Sequence, residues 1–323
     1  MAFPAKEDLT ICFAHVAYRM ADRFAARGTG IRHFQVNTPE ELTVRIADAD
    51  VLSVSMMWRN SLIARASKLK FIQSISAGTD QYSREALKAA GIRLASGQGV
   101  NARAVAEHAM SLILAMTRQL HLARDNQAKH HWRGMISDLT KREDELGGKT
   151  LLIVGLGRIG SHLAGLAKAF GMRVIGTKRD PGSGGENADD VFSQGRLGEV
   201  LPLADFVALT CPLTPQTEGL INAAAFARMK PSAYLINVAR GKVVDEPALL
   251  EALGSGRIAG AGLDCTVEEP LPAASPLWDI PNVLITPHTA GETRRYEDNV
   301  IDLLLENLDR LWRGESELKN GIV

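Results

Sequence analysis

Arginine, glutamate and histidine stand in three short segments, each of which follows an apolar run. These are Ile236-Asn-Val-Ala-Arg240-Gly241, Gly262-Leu-Asp264-Cys-Thr-Val-Glu-Glu269-Pro270 and Thr286-Pro-His288-Thr-Ala-Gly291. An arginine offers a planar fork to a carboxylate or a carbonyl oxygen. A histidine titrates near neutrality and can deliver a proton. A carboxylate hydrogen-bonded to that histidine holds its tautomer and favours its charged form. These are the groups needed to reduce a 2-keto acid if a hydride donor is bound beside them.

A seat for such a donor is written upstream. Thr150-Leu-Leu-Ile-Val-Gly155-Leu-Gly157-Arg-Ile-Gly160 carries an apolar run into a G-x-G-x-x-G turn, followed by Leu163, Leu166, Ala167 and Phe170 at helical spacing. Gly155 permits the turn, Gly157 lets backbone approach a pyrophosphate, and Gly160 lets the helix pack close to the strand. The helix start then presents N–H groups and a positive dipole end to phosphates. A lone fingerprint is weak evidence; here the flanking strand and helix strengthen it.

The elements that must position these residues form two α/β runs. In the first, strands are expected at Thr10–Ala14, Val51–Val54, Phe71–Ile75 and Ile92–Ala95, with helical stretches at Pro39–Ala47, Ser61–Lys68 and Ser83–Ala90 between them. Such alternation implies a parallel sheet. Asn101–Leu122 reads as one long helix, with Val105, Ala109, Leu112, Ile113 and Met116 at helical spacing. The second run has strands at Thr150–Val154, Arg173–Thr177, Phe206–Leu209, Tyr234–Asn237, Gly260–Leu263 and Val283–Ile285, a loop at Pro181–Asn187, and a closing helix over Thr293–Trp312. Loops at strand C-termini are where open α/β sheets bind ligands, and all three chemistry-bearing segments lie there.

Bulk properties narrow the classes. The 323 residues suffice for two domains with real cores, and 46% hydrophobic with 23% charged residues is ordinary for a globular protein. Lys+Arg and Asp+Glu are equal at 37 each, so no basic stripe for nucleic acid or membrane is expected. No apolar run approaches membrane-spanning length. The three scattered cysteines, Cys12, Cys211 and Cys265, match no zinc or disulfide spacing, and no metal is expected. A cytoplasmic protein without a signal peptide is the expectation.

Further stretches add to these: Ser76-Ala-Gly-Thr-Asp80, Asn101-Ala-Arg-Ala-Val-Ala-Glu-His108, Leu146-Gly-Gly-Lys-Thr150 and Cys211-Pro-Leu-Thr-Pro-Gln-Thr217. With them, nearly the whole chain resembles the D-isomer-specific 2-hydroxyacid dehydrogenase family. The resemblance implies two Rossmann-like domains with parallel sheets. A dinucleotide-binding domain, 101–290, would be inserted into a discontinuous substrate domain, 1–100 with 291–323.

Residue by residue, the resemblance implies that Arg240 binds the substrate carboxylate and polarises the C2 carbonyl. His288 gives the proton in reduction and takes it in oxidation, with Glu269 paired to it; the family places the acid directly before the proline, which selects Glu269 over Glu268. Backbone N–H groups at Ala77 and Gly78 would hold the substrate carboxylate, and Met57 and Arg59, in the loop after Val51–Val54, are further candidates for shaping the pocket. The cofactor would lie against Gly155, Gly157, Arg158, Ile159 and Gly160, then Lys178 and Arg179, then Cys211, Pro212 and Thr217. Val238, Ala239 and Arg240 would follow it, with Asp264 near the nicotinamide amide and His288 and Gly291 beyond. His108, His121, His130 and His131 are read as structural or exposed.

The end of the second strand of the nucleotide domain bears on cofactor choice. An acid there, about 20 residues past the fingerprint, bonds the ribose 2′-OH in NAD enzymes. This chain has Lys178 and Arg179 instead, with Asp180 beyond a strand expected to end at Thr177. Cations favour a 2′-phosphate, so NADP is expected over NAD. The reading is a glyoxylate- or hydroxypyruvate-type reductase, with a homodimer implied by the family. The alternatives are phosphoglycerate dehydrogenase activity, for which no added regulatory domain is expected, and a nucleotide-sensing, corepressor-like binding protein.

Overall fold

The computed structural model describes residues 3–182 and 187–323, so residues 183–186 of the loop read at Pro181–Asn187 lie outside the described residues. The chain divides into two compact units, Met1–Asn101 with Thr293–Val323, and Ala102–Glu292. In sequence, the second interrupts the first.

The first unit is built on β1 (Thr10–Ala14), β2 (Arg32–Val36), β3 (Val51–Val54), β4 (Phe71–Ser74) and β5 (Arg93–Ala95). They form one sheet in the order β2-β1-β3-β4-β5, parallel throughout. Val51 sits opposite Ile11 on one side and Phe71 on the other, and the central strands β3 and β4 are buried along their length, with Ser53, Gln73 and Ser74 buried among the apolar residues. The outer edge of β5 is covered by the chain end: Leu94 donates to Val323 O (3.2 Å) and Ile322 donates back to Leu94 O (2.8 Å). The helix Tyr296–Trp312 packs Val300, Leu304 and Leu308 with Phe13, Phe24 and Phe71.

The second unit holds β6 (Thr150–Val154), β7 (Arg173–Lys178), β8 (Asp190–Ser193), β9 (Phe206–Leu209), β10 (Tyr234–Asn237), β11 (Gly260–Leu263) and β12 (Val283–Ile285). The order is β12-β11-β10-β9-β6-β7-β8, again all parallel. After β6 the chain builds outward on one side through β7 and β8, then returns to build the other side from β9. The strand order therefore reverses between β6 and β9, and a crevice opens at their C-terminal ends.

Three sequence expectations are corrected. Asn101–Leu122 is not one helix: Ala102–Thr117 ends and Leu120–Ala128 begins anew, with Gln119 between them in the left-handed region (φ 50°). The apolar stripe of the first helix stops at Met116 and the second helix buries none of its residues, so no core face carries a single helix through. Thr117 Oγ1 bonds back to Ile113 O (2.7 Å), and the Gln119 amide is held by Lys141 O (3.1 Å). The stretch expected as a helix at Ser61–Lys68 is a 3-10 helix, Asn60–Arg65. Strand β7 runs one residue further than expected, to Lys178.

Candidate active site

At the crevice, the fingerprint turn is shaped by contact. Gly155 has φ +101°, and a Cβ there would come within 2.6 Å of the Cys211 backbone nitrogen. At Gly160 a Cβ would lie 2.8 Å from Gly155 O, so strand and helix could not approach as they do. The amides of Gly155 and Leu156 both donate to Thr177 O (3.0 and 2.8 Å), tying the turn to the end of β7. Gly157 caps the helix Arg158–Ala169 with no side-chain cap, which leaves a helix start suited to an anion. Across the crevice, Thr210 Oγ1 donates to Gly155 O (2.8 Å). Thr217 Oγ1 accepts from Thr214 N (2.8 Å) and donates to Pro212 O (2.7 Å), closing the loop that starts at buried Cys211. Burial pushes the Cys211 thiol up to about 11.

The loops after β10, β11 and β12 carry the charged groups. Buried Asn237 at the end of β10 folds the first: its Nδ2 donates to Arg240 O (3.1 Å) and its Oδ1 accepts from Ala239 N (3.0 Å). Val238 and Ala239 are buried, while half-buried Arg240 donates Nη1 to Ala239 O (2.7 Å). Asp264, directly after β11, is 2% exposed, and its carboxylate is filled by the third loop: Thr286 Oγ1 donates at 2.6 Å, Thr289 N at 3.0 Å and Ala290 N at 3.0 Å.

Glu269 and His288 meet in the open. Glu269 Oε2 lies 2.8 Å from His288 Nδ1, and Oε1 accepts from Thr266 N (3.1 Å). An ionised carboxylate only accepts, so Nδ1 carries a hydrogen and Nε2 is the atom whose proton is free to move. Glu268 touches the same turn through its backbone alone, its carbonyl accepting from Thr266 Oγ1 (2.7 Å). His288 itself has φ 54°, held between Thr286 and Thr289.

In the first unit, Ser76–Asp80 leaves the end of β4. Ser96 Oγ donates to Ala77 O (2.8 Å) and Ser74 Oγ to Ser76 O (3.1 Å). Among the described residues, the N–H groups of Ala77 and Gly78 find no acceptor in the protein. Of the loop after β3, Met57 is 5% exposed and packs in the core with Trp58, so it is Met56, 76% exposed, that reaches solvent. Arg59 is exposed, and its Nη1 donates to Met56 O and Trp58 O, both at 2.8 Å.

Beyond the fingerprint, Lys178 closes β7 and Arg179 is exposed. Asp180 Oδ1 accepts from Gly182 N (3.0 Å), so this acid is engaged in its own turn. Among the described residues, no cluster of His, Cys, Asp and Glu is arranged to hold a metal ion. No helix among them is long and apolar enough to cross a membrane.

Two residues of this neighbourhood escaped sequence reasoning. Thr286 is the hydroxyl on Asp264, and His108, read as structural or exposed, places Nε2 2.9 Å from Thr286 Oγ1. The signal was present but indirect: His108, Leu112 and Met116 repeat at helical spacing while Gly260, Gly262 and Asp264 alternate along a strand.

Residues 110–290 match the family model described as D-isomer specific 2-hydroxyacid dehydrogenase, NAD binding domain. The chain is 37% identical over 283 residues to a D-3-phosphoglycerate dehydrogenase of Methanocaldococcus jannaschii, which covers 86% of this chain and 52% of that protein. It is 35% identical over 284 residues to a glyoxylate reductase of Pyrococcus furiosus, covering 85% and 83% respectively. The chain thus spans about half the length of the D-3-phosphoglycerate dehydrogenases it matches. Among solved structures, a D-isomer specific 2-hydroxyacid dehydrogenase family protein from Aeromonas salmonicida superposes with TM-score 0.85 at 30% identity, covering 98% of this chain and 99% of that one.

Proposed function

The chain belongs to the D-isomer-specific 2-hydroxyacid dehydrogenase family, and on that premise we propose that it interconverts a 2-keto acid and a D-2-hydroxy acid as a glyoxylate- or hydroxypyruvate-type reductase. The observation that carries this reading is the His288–Glu269 pair, with Nδ1 fixed by the carboxylate at 2.8 Å and Nε2 left to move a proton. A reduced nicotinamide, when bound, supplies the hydride to C2. The protein's own part is to hold, orient and protonate. Arg240 holds the carboxylate and draws charge onto the carbonyl oxygen; His288 Nε2 gives that oxygen its proton, and Glu269 holds the imidazolium before the transfer. The substrate carboxylate is assigned to the Ala77 and Gly78 amides. In this reading the unit around β6–β12 is the dinucleotide domain and the other the substrate domain.

The uncapped start of Arg158–Ala169 and the crowding at Gly155 and Gly160 suit a pyrophosphate. Lys178 and Arg179 favour a 2′-phosphate, and Asp180 is occupied by its own turn, so NADPH is the preferred cofactor. Steady-state rates with NADPH and NADH against glyoxylate, hydroxypyruvate, pyruvate and phosphohydroxypyruvate test both points. A higher kcat/KM with NADPH on glyoxylate or hydroxypyruvate is expected. Equal or better use of NADH overturns the cofactor assignment, and turnover confined to the phosphorylated acid makes the chain a phosphoglycerate-type enzyme. No turnover on any of them would favour the nucleotide-sensing alternative.

A homodimer is assigned to the segment after Leu120–Ala128. There Trp132 is 97% exposed and Met135 fully so, an arrangement that suits burial against a second copy. The three free, buried cysteines fit the reducing cytoplasm.

A further inference from the structure

We propose that His108 is a positioning residue for the proton donor, acting through Thr286 on the loop that carries His288. The inference rests on the dehydrogenase reading for its kinetic consequence and on geometry alone for its structural one.

The helix Ala102–Thr117 lies on β11 with its chain direction opposed. Four helical residues rise about 6 Å, and two strand residues span nearly the same, about 6.6 Å. Every fourth residue of the helix therefore falls over every second residue of the strand. A Cβ built at Gly260 would meet Met116 Cε at 3.0 Å, and one at Gly262 would meet Leu112 Cβ at 3.1 Å. The next step of both repeats sets His108 over Asp264, and there the side chains do meet: Nε2 lies 3.4 Å from Asp264 Oδ1 and 2.9 Å from Thr286 Oγ1. The bare backbone at Gly260 and Gly262 is what permits an approach close enough for that contact.

The hydrogens in this cluster can be assigned. An ionised Asp264 only accepts, so the single hydrogen of the Thr286 hydroxyl goes to Oδ1 at 2.6 Å. The same oxygen must then accept from His108, so Nε2–H is a donor whether the ring is neutral or charged. The chain runs His108 Nε2–H to Thr286 Oγ1–H to Asp264. Asp264 in turn takes the amides of Thr289 and Ala290, on the far side of His288 from Thr286. His288 is thereby bracketed on both sides by groups bound to one buried carboxylate, and His108 fixes the rotamer of the Thr286 hydroxyl that closes the bracket. The cluster leaves the Glu269 contact untouched and adds to it: Glu269 orients the ring, while this chain holds the backbone it hangs from.

The test uses the intact protein and four variants. In His108→Gln the side-chain amide can place its donor where Nε2 stands, whereas His108→Phe fills the space without one; Thr286→Val and the double variant complete a cycle. Hydrogen–deuterium exchange needs no substrate: in His108→Phe the segment 286–291 is expected to exchange about tenfold faster, with the helix Ala102–Thr117 as protected as in wild type, and His108→Gln to match wild type. Kinetically, kcat should fall about tenfold in His108→Phe with KM for the cofactor within twofold, and return in His108→Gln. Adding His108→Phe to Thr286→Val should cost nothing further. Unchanged exchange at 286–291, faster exchange spread across the helix, or an additive double variant overturns the proposal. A wild type without turnover would count against the dehydrogenase reading alone, because the exchange result still decides this one.

Discussion

Each unit places a histidine just past the C-terminal end of a strand, and the two are opposite in character. His15 directly follows β1. Its Nδ1 accepts the amides of Ala17 (3.1 Å) and Tyr18 (2.8 Å), and its ring stacks on Tyr18 at 3.9 Å. Burial holds the imidazole below its ordinary range, with Glu297 opposing in part. His288 follows β12, is 43% exposed at its side chain, and turns the same ring atom toward the Glu269 carboxylate at 2.8 Å. Two N–H donors on Nδ1 forbid a proton there; a carboxylate on Nδ1 requires one. Residue type and strand-end position are shared. The partner of Nδ1 keeps one histidine neutral and puts a hydrogen on the same atom of the other, which suits the proton-carrying role proposed for it.

That contrast can be broken from the charged side first. Arg240→Gln removes the group assigned to the substrate carboxylate and carbonyl, and kcat/KM should fall about a thousandfold in steady-state assays; a loss under tenfold would leave Arg240 outside the chemistry. Glu269→Gln keeps a hydrogen-bonding partner on Nδ1 but removes the charge. It should cost kcat about a hundredfold with KM for the cofactor within twofold, because the proposal sets the carboxylate's charge beside the ring that gives up the proton. A loss under threefold would contradict the pairing. His15 gives the smallest effect. The unfolded chain protonates this histidine near its ordinary 6.5, the folded chain only at lower pH. Below 6.5 the unfolded state therefore binds more protons, and stability falls as pH falls. The melting temperature should drop between about pH 7 and 5, and a His15→Phe variant should lose part of that dependence.

Strands buried on both faces were legible because they are mostly apolar: β3, β6, β9 and β10 stand where Val51, Thr150, Phe206 and Tyr234 begin them. β2 and β8 were not, whereas the edge strand β12 was, because Val283-Leu-Ile is apolar throughout. Arg32-His-Phe-Gln-Val and Asp190-Val-Phe-Ser mix polar and apolar residues, and each strand pairs on one side. The break at Gln119 was hidden because Leu120 continues the apolar pattern in sequence while lying 55% exposed. At the site, the proline after Glu269 separated it from Glu268, and the structure seats Glu269 on His288. His108 stayed hidden because its contact depends on how a helix and a strand distant in sequence register, which no local pattern encodes. Met57 was offered for the pocket from its loop position, yet its side chain turns into the core.

His288→Asn tests the central claim most directly. Oxidation of the reduced nicotinamide in the presence of glyoxylate or hydroxypyruvate should slow by about a thousandfold or more relative to wild type, while cofactor affinity, read by quenching of protein fluorescence, stays within threefold. A variant that turns over as fast as wild type, or one that loses cofactor binding in proportion to its rate, would contradict the account.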